Sequence, residues 1–592
     1  MKKLIFFFSL SLFTLTSVLA EDCKKPNSLG EYVETANPRK PKPKEWIGVK
    51  NTLVSWGSID VRYKKEEPAP ECMHPIRKIV LRGWRGEKVA AQLVVSSADG
   101  VIGLRCLAGE LKAGKHRIPQ SAVFSGFVRY TLFDDLSIMC EKANHSEYDS
   151  TLVADPIDHI TQSMDLEALS TRALWLRFDI PRTAASGKYS GTVCVFAGDK
   201  KLETLSVELA VVDRVLPDAA EWKFHLDMWQ NPYAIARYHQ LPLWSNEHFE
   251  VMKSYIKLYR EAGGKSITAS IMHKPWGGQT VQDPYQSLIT WVKRVDGSWY
   301  YDYTLFDKWI EFMMAQGIRD NIQCYTMVPW EFSFQYFDQA TQSLQCLKTR
   351  PGEAAYETLW TAMLSSFAKH LKEKGWFHIT RIAMDERDKE SMKRALEIIH
   401  KVEPAFKVSL AKEEFSSELN EHIHDYCVFL EPTRNEEFPQ EALMWRHSQG
   451  YVSTIYTCCF PLRPSHALAA NPAECEYLGI YPAAHNLNGY LYWALCSWNL
   501  DPLKDSRWRS FRGGDAYQIY PGPRTSIRFE RFLYGVQQSE KIRILKEEYR
   551  AANNVKALQA LEKTLSVLTS ANALKDGCEH MVKYVKEQIN VL

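Results

Sequence analysis

From about residue 221 onward the chain alternates short apolar runs with long amphipathic stretches, and that rhythm restricts it to a parallel sheet wrapped by helices. The runs beginning at Phe224, Ser266, Ile322, Ile379, Phe406, Tyr426, Val452 and Gly489 each read as a buried strand. Eight such runs over about 280 residues match the length of a (β/α)8 barrel. Helices are expected between them, among others over 246–262, 356–374 and 388–403. Residues 49–212 follow a different rule, with short period-two runs such as Val89-Ala-Ala-Gln-Leu-Val-Val and Ala173-Leu-Trp-Leu-Arg-Phe-Asp-Ile separated by turn residues. That pattern predicts an antiparallel β-sandwich. The expected fold class is therefore multidomain β and α/β. Residues 1–20 would be a targeting segment, 21–48 a Lys- and Pro-rich linker, 49–218 the sandwich, 219–525 the TIM-like barrel, and 526–592 a helical tail.

Lys2-Lys3, the apolar run from Leu4 to Leu15 and the small-residue site Val18-Leu19-Ala20 form a signal-peptide pattern, which implies export to the periplasm or beyond. Cys23 lacks a lipobox before it, and the apolar run is short for a membrane span, so no stable membrane anchor is expected. Without Lys2 and Lys3 the 73 basic residues become 71, against 71 acids. Such neutrality gives no support for nucleic-acid binding. The 13 cysteines are odd in number and lack metal-type spacing, so at least one stays outside any intrachain disulfide. Cys458-Cys459 reads as a pair of buried thiols rather than a vicinal disulfide.

Asp385 and Glu386 end the run Ile379-Thr-Arg-Ile-Ala-Met and precede a helix-forming segment, which puts them at the strand-to-helix junction where barrels carry their chemistry. If Asp385 points inward, Glu386 starts the loop and is free to turn back over the same pocket. Two acids in different environments suit glycoside chemistry. The residues alone leave the alternative open, a solvated acidic turn favouring the next helix N-terminus. Around the other predicted strand ends gather Trp229, His273, Trp276, Tyr325, Trp330, Trp493, Trp498 and Asn499, and the chain holds 18 Trp and 28 Tyr. Aromatic faces stack on sugar C–H faces, and polar groups meet hydroxyls, so these residues are the candidate sugar-binding set. Trp493, inside a predicted strand, fits barrel core equally well, and His273 fits a loop cap equally well.

In order along the chain, Leu226-Asp-Met-Trp-Gln-Asn-Pro-Tyr-Ala-Ile-Ala-Arg, Met384-Asp-Glu-Arg, Gly489-Tyr-Leu-Tyr-Trp-Ala-Leu-Cys-Ser-Trp-Asn, Gly514-Asp-Ala-Tyr-Gln-Ile-Tyr-Pro-Gly-Pro and Ser526-Ile-Arg-Phe-Glu-Arg resemble glycoside hydrolase family 123. The likeness spans about residues 50–550. It departs at Gly535-Val-Gln-Gln-Ser-Glu, where many relatives carry Asp-Tyr-Glu after Arg-Glu-Gly. The resemblance implies an N-terminal β-sandwich, a catalytic barrel, and exo-acting β-N-acetylgalactosaminidase activity on glycans such as those of glycosphingolipids. It also implies an adjacent Asp-Glu pair, which only Asp385-Glu386 matches. Glu386 would then be the general acid and base, and Asp385 would orient the 2-acetamido group whose carbonyl oxygen attacks C1, with no metal or organic cofactor. A β-N-acetylglucosaminidase and a non-catalytic glycan-binding protein are the alternatives.

Overall fold

The computed structural model describes residues 32–134 and 150–591, apart from 281, 435, 459, 460, 462 and 508–510. The predicted signal-peptide segment and Cys459 lie outside the described residues. All eight predicted barrel strands are present: β1 His225–Met228, β2 Ser266–Ser270, β3 Asn321–Tyr325, β4 Thr380–Asp385, β5 Lys407–Lys412, β6 Asp425–Phe429, β7 Val452–Tyr456 and β8 Gly489–Tyr492. They pair in parallel in the order β1-β8-β7-β6-β5-β4-β3-β2. The remaining seam, between β1 and β2, is bridged where the Lys265 N–H donates to the Leu226 carbonyl at 2.9 Å and the Thr268 N–H donates to Gln230 Oε1 at 2.9 Å. The barrel is thus nearly closed.

Helices α1 Pro232–His239, α2 Asn246–Glu261, α3 Thr304–Ala315, α4 Ala354–Glu373, α5 Lys389–Val402, α6 Gln440–Ser448 and α7 Pro472–Ala484 surround the barrel. Between β5 and β6 no helix forms among the described residues. That segment, Glu413-Glu-Phe-Ser-Ser-Glu-Leu-Asn, offers no continuous apolar stripe for a helix to bury. A four-stranded sheet of Thr290–Lys293, Trp299–Asp302, Ser333–Asp338 and Ser343–Lys348 is inserted after β2 and β3, a feature absent from the sequence expectation.

The N-terminal region forms two facing sheets, as expected, but one pairing departs from the antiparallel rule. Lys78–Arg85 runs parallel to Lys200–Val215. The two-residue strand Thr525–Ser526, at the predicted boundary between barrel and tail, pairs instead with Thr151–Asp158 of the sandwich. The predicted linker is corrected too. Tyr32 and Trp46 are buried, and the Glu34 carboxylate accepts from Arg172 Nη1 at 2.6 Å and Arg129 Nε at 2.8 Å. Burial alone would raise the Glu34 pKa, but these two guanidinium groups and Lys65 hold it at about 2.

The tail begins with α8, Ile527–Ala551, which lies along α7. Gly479 and Gly535 meet at their crossing, where a Cβ on Gly535 would stand 2.2 Å from the Glu476 carbonyl oxygen. Only glycine permits that approach, so Gly535 is required by the packing of the two helices. Three shorter helices, Val555–Leu565, Ser570–Asp576 and Glu579–Ile589, complete the chain. Among the described residues no helix is long and apolar enough to cross a membrane.

Candidate active site

Asp385 is the last residue of β4, opposite Ala411 of β5 in register. The Glu386 N–H extends that ladder by one bond, donating to the Ala411 carbonyl at 2.8 Å. A strand would next send Glu386 to the far side of the sheet. Instead its φ of +49° breaks the alternation, and its side chain enters the same cavity as that of Asp385. A non-glycine residue in this region costs about 1–3 kcal/mol, strain of the kind that clusters at functional sites. Asp388 then caps α5, its carboxylate accepting from the Ser391 N–H at 2.9 Å.

The cavity, about 490 Å³, opens at the C-terminal ends of the strands. Trp229, Trp276, Trp330 and Trp493 form its walls, joined by Phe511 and Leu491, with Gln279, Tyr456 and Cys458 contributing polar or polarisable atoms. Trp229 and Trp276 stack with centroids 4.4 Å apart. Its volume suits a sugar ring and part of an aglycone. A larger cleft of about 600 Å³, lined by Lys223, Leu443, Asn488, Arg543 and Lys546, lies at the N-terminal ends of the strands, where barrel conservation reads as stability rather than chemistry.

Both acids resist ionisation. Burial, then the neighbouring charge of Glu386, pushes the Asp385 carboxyl well above the usual range. Arg387 opposes this, and so does the nearby Trp276 indole N–H, although no full hydrogen bond joins it to the carboxyl. Glu386 is raised by burial and by Glu413, and lowered by Tyr456, Arg387 and Lys412. The Tyr456 hydroxyl, at the end of β7, donates to Glu386 Oε1 at 2.8 Å. Two acids this close titrate as a coupled pair, and both are shifted toward the protonated form.

Of the sequence-predicted residues, Asp385, Glu386, Trp229, Trp276, Trp330 and Trp493 converge on the cavity. Four do not line it. Tyr325 lies beneath, its ring 4.8 Å from Trp229 and 4.9 Å from Trp276. His273 sits on the β2 loop outside the lining, its pKa lowered by burial and by Lys274. Trp498 is fully buried, donates to the Ile519 carbonyl at 2.8 Å and packs on Tyr238 and Tyr255. Asn499 spends its amide N–H groups on the Asp505 and Arg507 carbonyls, clamping a loop. Trp493 follows β8 rather than lying in it, so it is free to turn into the cavity. Tyr456, Gln279 and Phe511 were missed. Tyr456 carried a signal, because it ends a predicted strand. Gln279 and Phe511 sit on long loops with no period to place them. Among the described residues no group of three or more His, Cys, Asp or Glu is arranged to hold a metal ion.

The sequence pattern of the glycoside hydrolase 123 catalytic domain matches residues 229–545, and that of the glycoside hydrolase 123 N-terminal domain matches residues 56–197. A family 123 glycoside hydrolase from Clostridium perfringens, solved to give the details of glycolipid glycan hydrolysis, superposes with a TM-score of 0.83 at 26% identity, covering 91% of this chain and 98% of that one. A family 39 glycoside hydrolase from the gut symbiont Bacteroides cellulosilyticus superposes only with a TM-score of 0.33 at 11% identity, over 74% of this chain and 80% of that one. No curated protein matches the chain.

Proposed function

The chain belongs to glycoside hydrolase family 123, and from that premise we propose that it is an exported, exo-acting, retaining β-N-acetylgalactosaminidase working on glycans that include those of glycolipids. The observation that carries this reading is the adjacent pair Asp385 and Glu386, both turned into one aromatic-walled cavity, with no third carboxylate among its described lining residues. Enzymes with two separate carboxylates place them on opposite faces of the sugar, about 5–10 Å apart. Neighbouring residues entering from one strand end cannot do that. The nucleophile is then supplied by the substrate, as the 2-acetamido carbonyl oxygen attacks C1, and the intramolecular geometry provides the rate. Glu386 protonates the departing glycosidic oxygen and afterwards takes a proton from water. Asp385 accepts the acetamido N–H and stabilises the positive charge that grows on it.

Burial raises both carboxyls. Bound substrate would separate them. An acetamido N–H donated to Asp385 favours its ionised form, while the sugar shields Glu386 from water and favours its neutral one. The lysine pair, apolar run and small-residue site at the N-terminus support export. The glycolipid assignment is supported by the Clostridium perfringens relative.

The test is a panel of aryl β-glycosides. The N-acetylgalactosaminide should be cleaved far faster than the galactoside lacking the acetamide, and faster than the N-acetylglucosaminide; equal rates on the first two would overturn the mechanism. A thiazoline mimic of the cyclised intermediate should inhibit, because it resembles the species the site stabilises.

A further inference from the structure

The motif Gly514-Asp-Ala-Tyr-Gln-Ile-Tyr-Pro-Gly-Pro contributes no side chain to the cavity lining, yet it lies directly behind one wall. Asp515 is fully buried. The single Tyr492 hydroxyl hydrogen is shared between the Asp515 backbone carbonyl at 2.8 Å and its Oδ1 at 2.9 Å, and Oδ2 accepts from the Trp493 indole N–H at 3.3 Å. Tyr492 ends β8, and Trp493 is the next residue, whose ring faces Phe511 at 5.0 Å across the cavity wall. Asp515 is itself fixed. Its N–H donates to the Arg512 carbonyl at 3.0 Å, and the preceding Gly514 carbonyl accepts from Arg528 Nη1 at 2.6 Å. Arg528 in turn holds Asp155 of the sandwich at 3.0 Å.

We propose that Asp515 is a positioning residue that locks the rotamer of Trp493 and so sets the shape of the sugar cavity. An indole has a single donor, on one edge of its ring. With that edge tied to a buried carboxylate, rotating the ring would strand the N–H, unsatisfied, in an apolar wall. An ionised carboxylate can accept from Tyr492 and Trp493 together, whereas an amide offers only one accepting oxygen. Burial pushes the Asp515 carboxyl up to about 6, against Tyr492, Arg512, Trp493 and Arg528, which favour its ionised form, so it is charged at pH 7.5.

The inference rests on the glycosidase reading, and two measurements separate them. At pH 7.5, on whichever aryl N-acetylhexosaminide the wild type cleaves, Asp515→Asn should raise KM about tenfold and leave kcat within about threefold. Trp493→Phe should raise KM similarly, and the double variant should add little to either, because both remove one interaction. A KM within twofold of wild type for Asp515→Asn, or multiplying effects in the double variant, overturns the assignment. The second measurement needs neither substrate nor a folded Asp515 variant. In protein labelled with 5-fluorotryptophan, the ¹⁹F resonance missing from Trp493→Phe identifies Trp493. It should be a single narrow line above pH 7 and should shift or broaden near pH 6, as Asp515 gains its proton. An invariant line excludes the lock, even if the wild type proves inactive on every glycoside offered.

Discussion

At the residue scale the decisive geometry is one left-handed residue, Glu386, which lets sequence neighbours share a cavity. Their roles divide by leaving group. Glu386→Gln should cut hydrolysis of natural glycans by about 10²–10⁴-fold yet spare much of the activity on an aryl glycoside with an acidic phenol, which departs unaided. Asp385→Asn should slow both substrates alike. If Asp385→Asn is instead the variant rescued by a good leaving group, the two assignments are exchanged. Tyr456 tunes the acid. Its hydroxyl donates to Glu386 and so favours the carboxylate. Tyr456→Phe should therefore raise the Glu386 pKa and move the basic limb of the rate profile to higher pH, since the acid must start protonated. An unmoved limb would show that this bond does not govern the titration.

At the element scale, strand existence was legible because every barrel strand is an apolar run bounded by turns, and all eight runs became strands. Their C-terminal ends were less legible. Gly489-Tyr-Leu-Tyr-Trp-Ala-Leu reads as one continuous strand, but β8 stops at Tyr492, and this releases Trp493 toward the cavity. Trp498 and Asn499 look equally suited to a sugar site in sequence. They differ only in long-range partners, the Ile519 and Asp505 carbonyls, which no local pattern encodes. The inserted four-stranded sheet escaped notice for a related reason. Ser333–Asp338 and Ser343–Lys348 carry polar or exposed residues on one face and bury little but Phe334, so their period-two signal is weak. The N-cap of α5 is a case where local sequence suffices. Asp388 accepts from Ser391, and Asp388→Ala should lower stability by about 1 kcal/mol in urea unfolding. Its kcat should stay near wild type, because the carboxylate is outside the cavity; a large loss of kcat would instead tie this cap to the placement of Glu386.

At the scale of the whole molecule, sandwich and barrel are joined by buried ion pairs rather than by a flexible hinge. Asp155 accepts from Arg528 of the tail helix and Tyr520 of the barrel, and Asp158 accepts from Arg524 of the barrel, while Arg62 and Arg129 hold the same two acids from within the sandwich. Removing Asp155 would leave Arg528 buried and uncompensated, a loss of about 3–5 kcal/mol. Acid should test the same network. For Asp155, Asp158 and Glu476, burial favours the neutral form, but the facing Arg or Lys charges outweigh it and lower the pKa, as they do for Glu34 at about 2. Groups lowered on folding stabilise the protein above their unfolded pKa and lose that contribution as pH falls through the folded value. Asp227, Glu474 and Asp515 behave oppositely, because burial raises them to about 7, about 7 and about 6. Their contribution is complete below about pH 4 and fades as pH rises through 6–7. Buried histidines oppose them, since burial lowers His239, His248 and His424 to about 4 and His466 to about 3, and each costs stability as pH falls below its unfolded value. The raised carboxylates and the lowered histidines offset one another between about pH 7 and 5, so the urea midpoint should drop steeply only between about 4 and 2, where the salt-bridged carboxylates are protonated. Asp155→Asn should remove part of that acid limb, and a wild-type acid limb in Asp155→Asn would remove its ion pairs as the cause.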